Sequence, residues 1–504
     1  MTRYHSTRPR NIRHGAICLT VGILFLLTTV GLANEEKKTS PPVWRIDPGE
    51  TSTAPQFPWR PELPLSHYMP AREDPLAPAE KTWTLGELID FALRHNPDTR
   101  AAWHAARAAA AVRAAAGSAF LPQADLGGTA TGGYGSTGAK NETWYGSIGP
   151  ELSVTYLLYD GGGREAGLEE ARQALLAANW VHRAVLQDVM LEVLQNYYIY
   201  QGTRVLVASQ ESAVKEARTV LDAAKERHDA GVATIADVLQ AEASLAQVQL
   251  VLQEVTRDLR IREGVMATAV GLPANANLRI AEFQPDFPID SAARDVDRLI
   301  AEACQSRPDL AAAAARLRKS TARIRRVEAE GRPYIAVNGI FGAQYNSRWD
   351  TLLDTYSVGL SLRFPLFTGY AQAHNETQAR EEAAVSREEY ASLRQSAMLE
   401  VWSSYYTLQA AGQKIRTSEQ LLRSATQSYE VALGRYRAGV GDILDLLSTQ
   451  KTLETARAEQ VRARTEWLVA LAGLSRDTGR ILDDPAMRQG IMSTPTGPSN
   501  EQER

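Results

Sequence analysis

The sequence predicts a mainly α fold, duplicated within one chain, with a smaller β part made of two strand pairs. Three observations carry this. A unit is written twice, a seven-residue apolar beat runs along proline-free stretches, and two segments alternate apolar with polar residues.

The duplication is plainest at "RHDAGVATIADVLQ" from Arg227 and "RYRAGVGDILDLLS" from Arg435, 208 residues apart. Extended to 21 positions, the pair shares eight identities. At the same offset, "EVLQNYYIYQ" from Glu192 lies over "EVWSSYYTLQ" from Glu400, and "YDGG" from Tyr159 lies over "FTGY" from Phe367. Upstream the offset becomes 211, where Asn96 meets Arg307, Pro122 meets Pro333 and Tyr134 meets Tyr345. Each copy reads helix, strand pair, very long helix, turn, long helix. The first copy covers 81–271, with its strand pair at about 123–159 and its turn at about 231. A linker at 272–291 precedes the second copy, 292–479, with strands at about 334–367 and a turn at about 439.

Leu186, Val193, Tyr200, Val207, Val214 and Leu221 are each seven apart, as are Val401, Leu408, Ile415, Leu422, Tyr429 and Tyr436. After each turn the beat continues, from Val238 to Met266 and from Leu446 to Leu474, with one polar break at Gln460. A strict period of seven implies supercoiled helices packed as coiled coils. The stretch 162–229 lacks proline and, if helical throughout, is on the order of 100 Å long. A compact core does not need that length. A tube or a spacer does.

The strand pairs alternate. Ile148, Leu152, Val154, Tyr156 and Leu158, with Trp144 at the far end, oppose Ser147, Gly149, Glu151, Ser153 and Thr155. Tyr356, Val358, Leu360, Leu362 and Phe364 oppose Ser357, Gly359, Ser361 and Arg363. The strand before each alternates more weakly. A sheet with one apolar and one wet face has this pattern, and aromatic ends suit membrane interfaces. A soluble antiparallel sheet lying on a helix has the same period. The front of the chain favours the membrane. Arg3, Arg8, Arg10 and Arg13 precede the uncharged "AICLTVGILFLLTTVGL", with small residues Gly31 and Ala33 behind it, as in a secretory signal peptide (1–33). The alternative is a membrane anchor. Cys18 follows Ile17 and is a poor lipidation site, so cleavage leaves Cys304 alone and excludes an intramolecular disulfide. Residues 34–80 are Pro-rich and expected to be extended, and the tail 480–504 ends in polar residues. Four strands cannot close a barrel, and an open edge does not survive in lipid. The chain is therefore expected to assemble with copies of itself.

Tandem copies with "RxxAGV" and a following Asp at a helical hairpin, "LP" before each strand pair and a Gly turn after it resemble the TolC family of outer-membrane channel proteins. The resemblance covers Thr84 to Gly479. It implies a homotrimer whose four strands per chain close a 12-stranded transmembrane barrel, continuing into a long coiled-coil α-barrel across the periplasm. It also implies a passive exit duct for efflux or type I secretion, set in outer-membrane lipid of a Gram-negative-type cell. A periplasmic adaptor (membrane fusion) protein and an inner-membrane transporter are the implied partners.

On this resemblance the repeated stretches are hairpin tips. Arg227, Gly231, Val232, Arg435, Gly439 and Val440 are expected to meet the adaptor, glycine supplying the positive φ of a reversal. Asp237 and Asp445 are expected two turns inside the tips, facing the pore at its closed end. Tyr436 matches a tyrosine of the network that holds that end shut. Three copies of each carboxylate would make a cation-selective ring. The other reading is a helix-start aspartate favoured by the dipole. Ser448 and Gly441 depart from the family pattern where a second aspartate and an arginine latch can sit. Pro122 and Pro333 are expected to end helix and begin strand, with Gly161 and Gly369 serving the return.

Other classes find little support. With 44% hydrophobic and 23% charged residues and a net charge of −4, the chain lacks the basic surplus of a nucleic-acid binder. "GGGREAG" has no Gly-Lys-Ser/Thr ending and is not a phosphate loop. The histidines have no metal-ligand spacing and no nucleophile motif appears, so neither cofactor nor catalysis is expected. The alternative from another class is a periplasmic coiled-coil adaptor or scaffold of a transport complex. Such a protein carries one hairpin between soluble β domains rather than two copies with lipid-suited strands.

Overall fold

The computed structural model describes residues 81–136, 142–282, 295–347 and 350–481, with side chains at all of these except 135–136 and 142–145. The expected signal peptide, the Pro-rich segment, part of the linker, nearly all of the tail and the Trp144 side chain lie outside that description. The chain divides into two compact units.

One unit holds most of the strand residues, Gln123–Thr155 and Asn338–Gly359. The four long strands are β2 (Gln123–Ser136), β3 (Glu142–Tyr159), β5 (Tyr334–Asn346) and β6 (Thr351–Arg363), in the order β2-β3-β5-β6. Within the chain, β2 and β6 are the edges. The antiparallel register sets Leu126 opposite Leu152 and Ala130 opposite Ile148, while Thr131 faces Ser147 and Asp125 faces Ser153. Directly opposed residues share a face, so the weak alternation of β2 falls into step with that of β3. Leu126, Ile148, Val358 and Leu360 are exposed. On the other face Thr131 and Ser147 hydroxyls lie 2.6 Å apart, and Gln344 donates to the Ser147 hydroxyl at 2.9 Å. This polar ladder spans three strands.

The second unit is helical, and its long elements come in matched pairs. α3 (Gly163–Asp229) and α7 (Ala371–Arg437) have 67 residues each. α4 (Ile235–Ala269) and α8 (Ile443–Asp477) have 35 each. The expected seam is buried at Val193, Tyr200, Leu221, Val401, Leu408, Ile415 and Tyr436, as knobs of a coiled coil must be.

Each copy begins with two helices where the sequence suggested one. α1 (Leu85–His95) and α2 (Pro97–Gly117) meet at Asn96, and α5 (Val296–Ser306) and α6 (Pro308–Glu330) meet at Arg307. Proline at the first helical position starts a new helix, since its missing N–H needs no partner there. The linker also holds a short strand, β4 (Arg279–Ile280), paired in parallel with β1 (Thr82–Trp83).

The transitions fall where the prolines and glycines place them. β2 starts directly after Pro122 and β5 directly after Pro333. Gly161 and Gly369 have φ of 65° and 63°, and the long helices start two residues later. At Gly161 a Cβ would stand 2.7 Å from the Arg332 side chain, so glycine answers both the backbone and the space.

Candidate functional site

The two tips are built alike. α3 ends at Asp229, and Gly231 follows at φ 75°. Its N–H donates to the His228 carbonyl at 2.8 Å, and the Val232 N–H donates to the Arg227 carbonyl at 2.9 Å. Gly439, at φ 82°, repeats this with Tyr436 and Arg435 through its own N–H and that of Val440. These paired bonds satisfy helix-end carbonyls, and the left-handed residue between them is the one glycine fits. Val232 and Val440 are left exposed, joined by Ile235, Leu239 and Leu444. The last three extend the apolar tip beyond the residues expected from sequence; their exposure at helix starts has no periodic signature.

Asp237 and Asp445 stand in the first turn of their helices, not two turns inside the tips. The sequence count began at the glycine, whereas the helix begins only after Thr234 and Asp442. Asp237 closes a capping box: its carboxylate accepts from the Thr234 hydroxyl at 2.9 Å and from the Thr234 N–H at 3.4 Å. The helix dipole favours a carboxylate at that position. Asp445 has no capping box, because the preceding cap is Asp442, which accepts from the Leu444 N–H. It is exposed and reaches Arg435 only at 4.0 Å.

Tyr436 and Arg227, expected in separate roles, come together. Tyr436 is buried in an apolar cluster drawn from both hairpins, with Val220, Val238, Ile443 and Leu446. The Arg227 guanidinium carbon lies 4.4 Å from the ring centroid, and Arg227 also donates to the Tyr436 carbonyl. Burial raises the Tyr436 phenol above its ordinary range; Arg227 opposes this and the charges of Asp237 and Asp442 add to it. Its hydroxyl has no hydrogen-bond partner among the described residues. At Gly441 a Cβ would stand 2.9 Å from the Tyr436 nitrogen. Close packing therefore bars the latch arginine from this position unless the backbone shifts.

A second polar group, not foreseen from sequence, lies farther along the hairpins. Arg457 of α8 binds Glu216 of α3 through two bonds of 2.9 Å. Two turns earlier on α8, Gln450 is buried, and its amide interacts with the Glu454 carboxyl. Burial, and next the Glu216 charge, push the Glu454 carboxyl upward from its ordinary range. At the base of the second copy, Arg307 is buried between Asp309 and Glu400, each at 2.7 Å. Burial alone would raise Asp309, but the bonds and charge of Arg307 outweigh it and hold that carboxyl low.

The duplicated hairpins, strand pairs and tips coincide with a family pattern. The family model described as "Outer membrane efflux protein" matches residues 88–272 and 299–480. The chain belongs to the outer membrane efflux protein family. As a member it is an outer-membrane channel of efflux and secretion systems. This efflux protein is 29% identical to protein CyaE of Bordetella pertussis, over 78% of this chain and 84% of that one. It is 27% identical to the pyoverdine export outer membrane protein OpmQ of Pseudomonas aeruginosa, over 78% and 85%. Among solved structures, the outer membrane protein VceC of Vibrio cholerae superposes with a TM-score of 0.69 at 21% identity, covering 78% of this chain and 96% of that one. That likeness shows the shared fold. The adaptor alternative is not favoured.

Proposed function

We propose that three copies of this chain form a passive exit duct, with tips that dock a periplasmic adaptor and, through it, an inner-membrane transporter. The observation that carries the assembly is a mismatch between the two copies. In the first copy, Leu194 and Tyr198 of α3 are 0% and 7% exposed. Their counterparts in α7, Trp402 and Tyr406, are 45% and 43% exposed. The difference follows from packing. Leu194 and Tyr198 share a cluster with Ala472, Leu468 and Val469 of α8 in the second copy, and α7 has no following copy within the chain. Likewise β3 pairs with β5 of the second copy, while β6 ends the sheet.

A second chain supplies what is missing: β2 beside β6, and α2 and α4 beside α7. Repetition of that step closes a ring. Three copies give a 12-stranded barrel, above the roughly eight strands that bacterial barrels need. The apolar strand face then meets lipid, and the ladder of Thr131, Ser147 and Gln344 meets water. The exposed tip residues Val232, Val440, Ile235 and Leu444 offer the adaptor an apolar contact. In the ring, Asp237 and Asp445 place six carboxylates near the narrow end. Native mass measurement in detergent tests the assembly: a trimer is expected, and a stable monomer overturns it.

A further inference from the structure

We infer that Arg435 clasps His228 of the neighbouring subunit, in the same way that Arg227 clasps Tyr436 within one chain. The inference rests on the ring proposed above and adds to it a specific contact at every subunit boundary.

The argument is one of register. The step that carries the first copy onto the second maps Arg227 to Arg435 and His228 to Tyr436. Applied again, it carries the second copy onto the first copy of the next chain. Contacts made by the first copy with the second are then repeated by the second copy with its neighbour. The Arg227 to Tyr436 contact is of this kind, since Arg227 lies in the last turn of α3 and Tyr436 in the last turn of α7. Its image joins Arg435 to the neighbouring subunit's His228.

The side chains in the single chain fit this assignment. Arg227 is half-buried by its contact, whereas Arg435 is exposed. The 4.0 Å approach of Arg435 to Asp445 is between two side chains each more than half exposed, a weak pairing that leaves the guanidinium free to turn. His228 is half-exposed, and its Nδ1 lies 3.1 Å from the Ala233 carbonyl. A carbonyl can only accept, so this contact puts a hydrogen on Nδ1 and holds the ring at the tip. A planar guanidinium stacks on such a ring as it does on a tyrosine. The two seams are alike in plan and different in strength, because imidazole offers a guanidinium less ring than phenol does. The seam between subunits is therefore the weaker one and the place where the tips part.

Cross-linking tests this on the full chain. With Cys18 and Cys304 replaced by Ser, His228→Cys and Arg435→Cys are combined, and a short bis-methanethiosulfonate is added to the assembled protein. Covalent dimers and trimers are expected on denaturing gels. Arg227→Cys with Tyr436→Cys should instead link within a chain and give no ladder. A trimer by native mass without a ladder overturns the clasp alone; a monomer by native mass overturns the ring and the clasp with it. A second readout uses conductance in planar bilayers. His228→Tyr should shift the balance toward the closed tip, and Arg435→Ala should shift it toward the open tip, each by roughly two- to tenfold, the range of a cation–π contact. Arg435→Lys should restore part of the closure. No shift in either variant overturns the assignment.

Discussion

The guanidinium of Arg227 lies 4.4 Å from the ring centroid of Tyr436 and bonds to the carbonyl of the same residue. One hairpin thus holds the other at its last helical turn, across two copies of a repeated unit.

From this contact, the ring of Tyr436 and its hydroxyl should behave differently on substitution. The ring is buried, so Tyr436→Ala should cost about 3–5 kcal/mol, as other large-to-small core changes do. The hydroxyl is buried without a partner, so Tyr436→Phe removes an unmet polar group and should cost nothing or stabilise slightly. Thermal unfolding in detergent compares the two. A large loss in Tyr436→Phe would mean that the assembled protein gives the hydroxyl a partner, with Asp237 the nearest candidate by charge.

Neighbouring strand positions should tolerate charge unequally. Leu360 lies on the exposed apolar face of β6, while the Ser361 hydroxyl donates to the Ala336 carbonyl at 3.3 Å. In the proposed trimer, Leu360→Asp would place a carboxylate in lipid three times and should impair insertion into the outer membrane. Ser361→Asp should be much milder. Membrane fractionation reads both, and equal damage would reverse the assignment of faces.

The aspartates of the tips should separate a helix cap from a charge ring. Asp237→Ala loses its half of the capping box together with a first-turn charge and should destabilise by about 0.3–1 kcal/mol, whereas Asp445→Ala loses a first-turn charge and an exposed approach to Arg435 but no capping bond, and should cost less. Together they should reduce cation preference and block by polyvalent cations in planar-bilayer recordings. Unchanged ion preference would leave both as helix-start residues and nothing more.

Much of this was legible because it repeats. The duplicated stretches, the seven-residue seam and Pro122 and Pro333 each leave a local mark, and the structure places the elements accordingly. The break at Asn96 and Arg307 was missed because proline at a helix start disturbs no apolar period. β1 and β4 are too short for alternation to register. The depth of Asp237 was misjudged because a turn in the chain was counted as helix. The Arg227 contact joins residues 209 apart, and no local pattern marks it. Register between the copies is the signal that reaches it.

Two half-buried carboxylates should give opposite responses to pH. Glu454 is raised in the folded chain by burial and then by Glu216, with Arg457 and Lys451 opposing. The native state therefore binds a proton more readily than the unfolded chain does. Stability from this group rises as pH falls through its folded pKa, which lies above the ordinary value of 4.5. Asp309 is lowered: Arg307 outweighs its burial. Its stabilising contribution is complete above the unfolded value of 3.8 and is lost as pH falls through the lower folded one. Glu454→Gln should accordingly raise the unfolding temperature at pH 7.5, with a gain that shrinks toward acid. Asp309→Asn should lower it at pH 7.5, because Arg307 loses one of its two carboxylates, and that loss should shrink only below the ordinary Asp range. Unfolding temperatures of both variants and the parent across pH 3–8 read the two slopes. A gain from Glu454→Gln that is the same at every pH would show that the charge of Glu454 is not what burdens the fold.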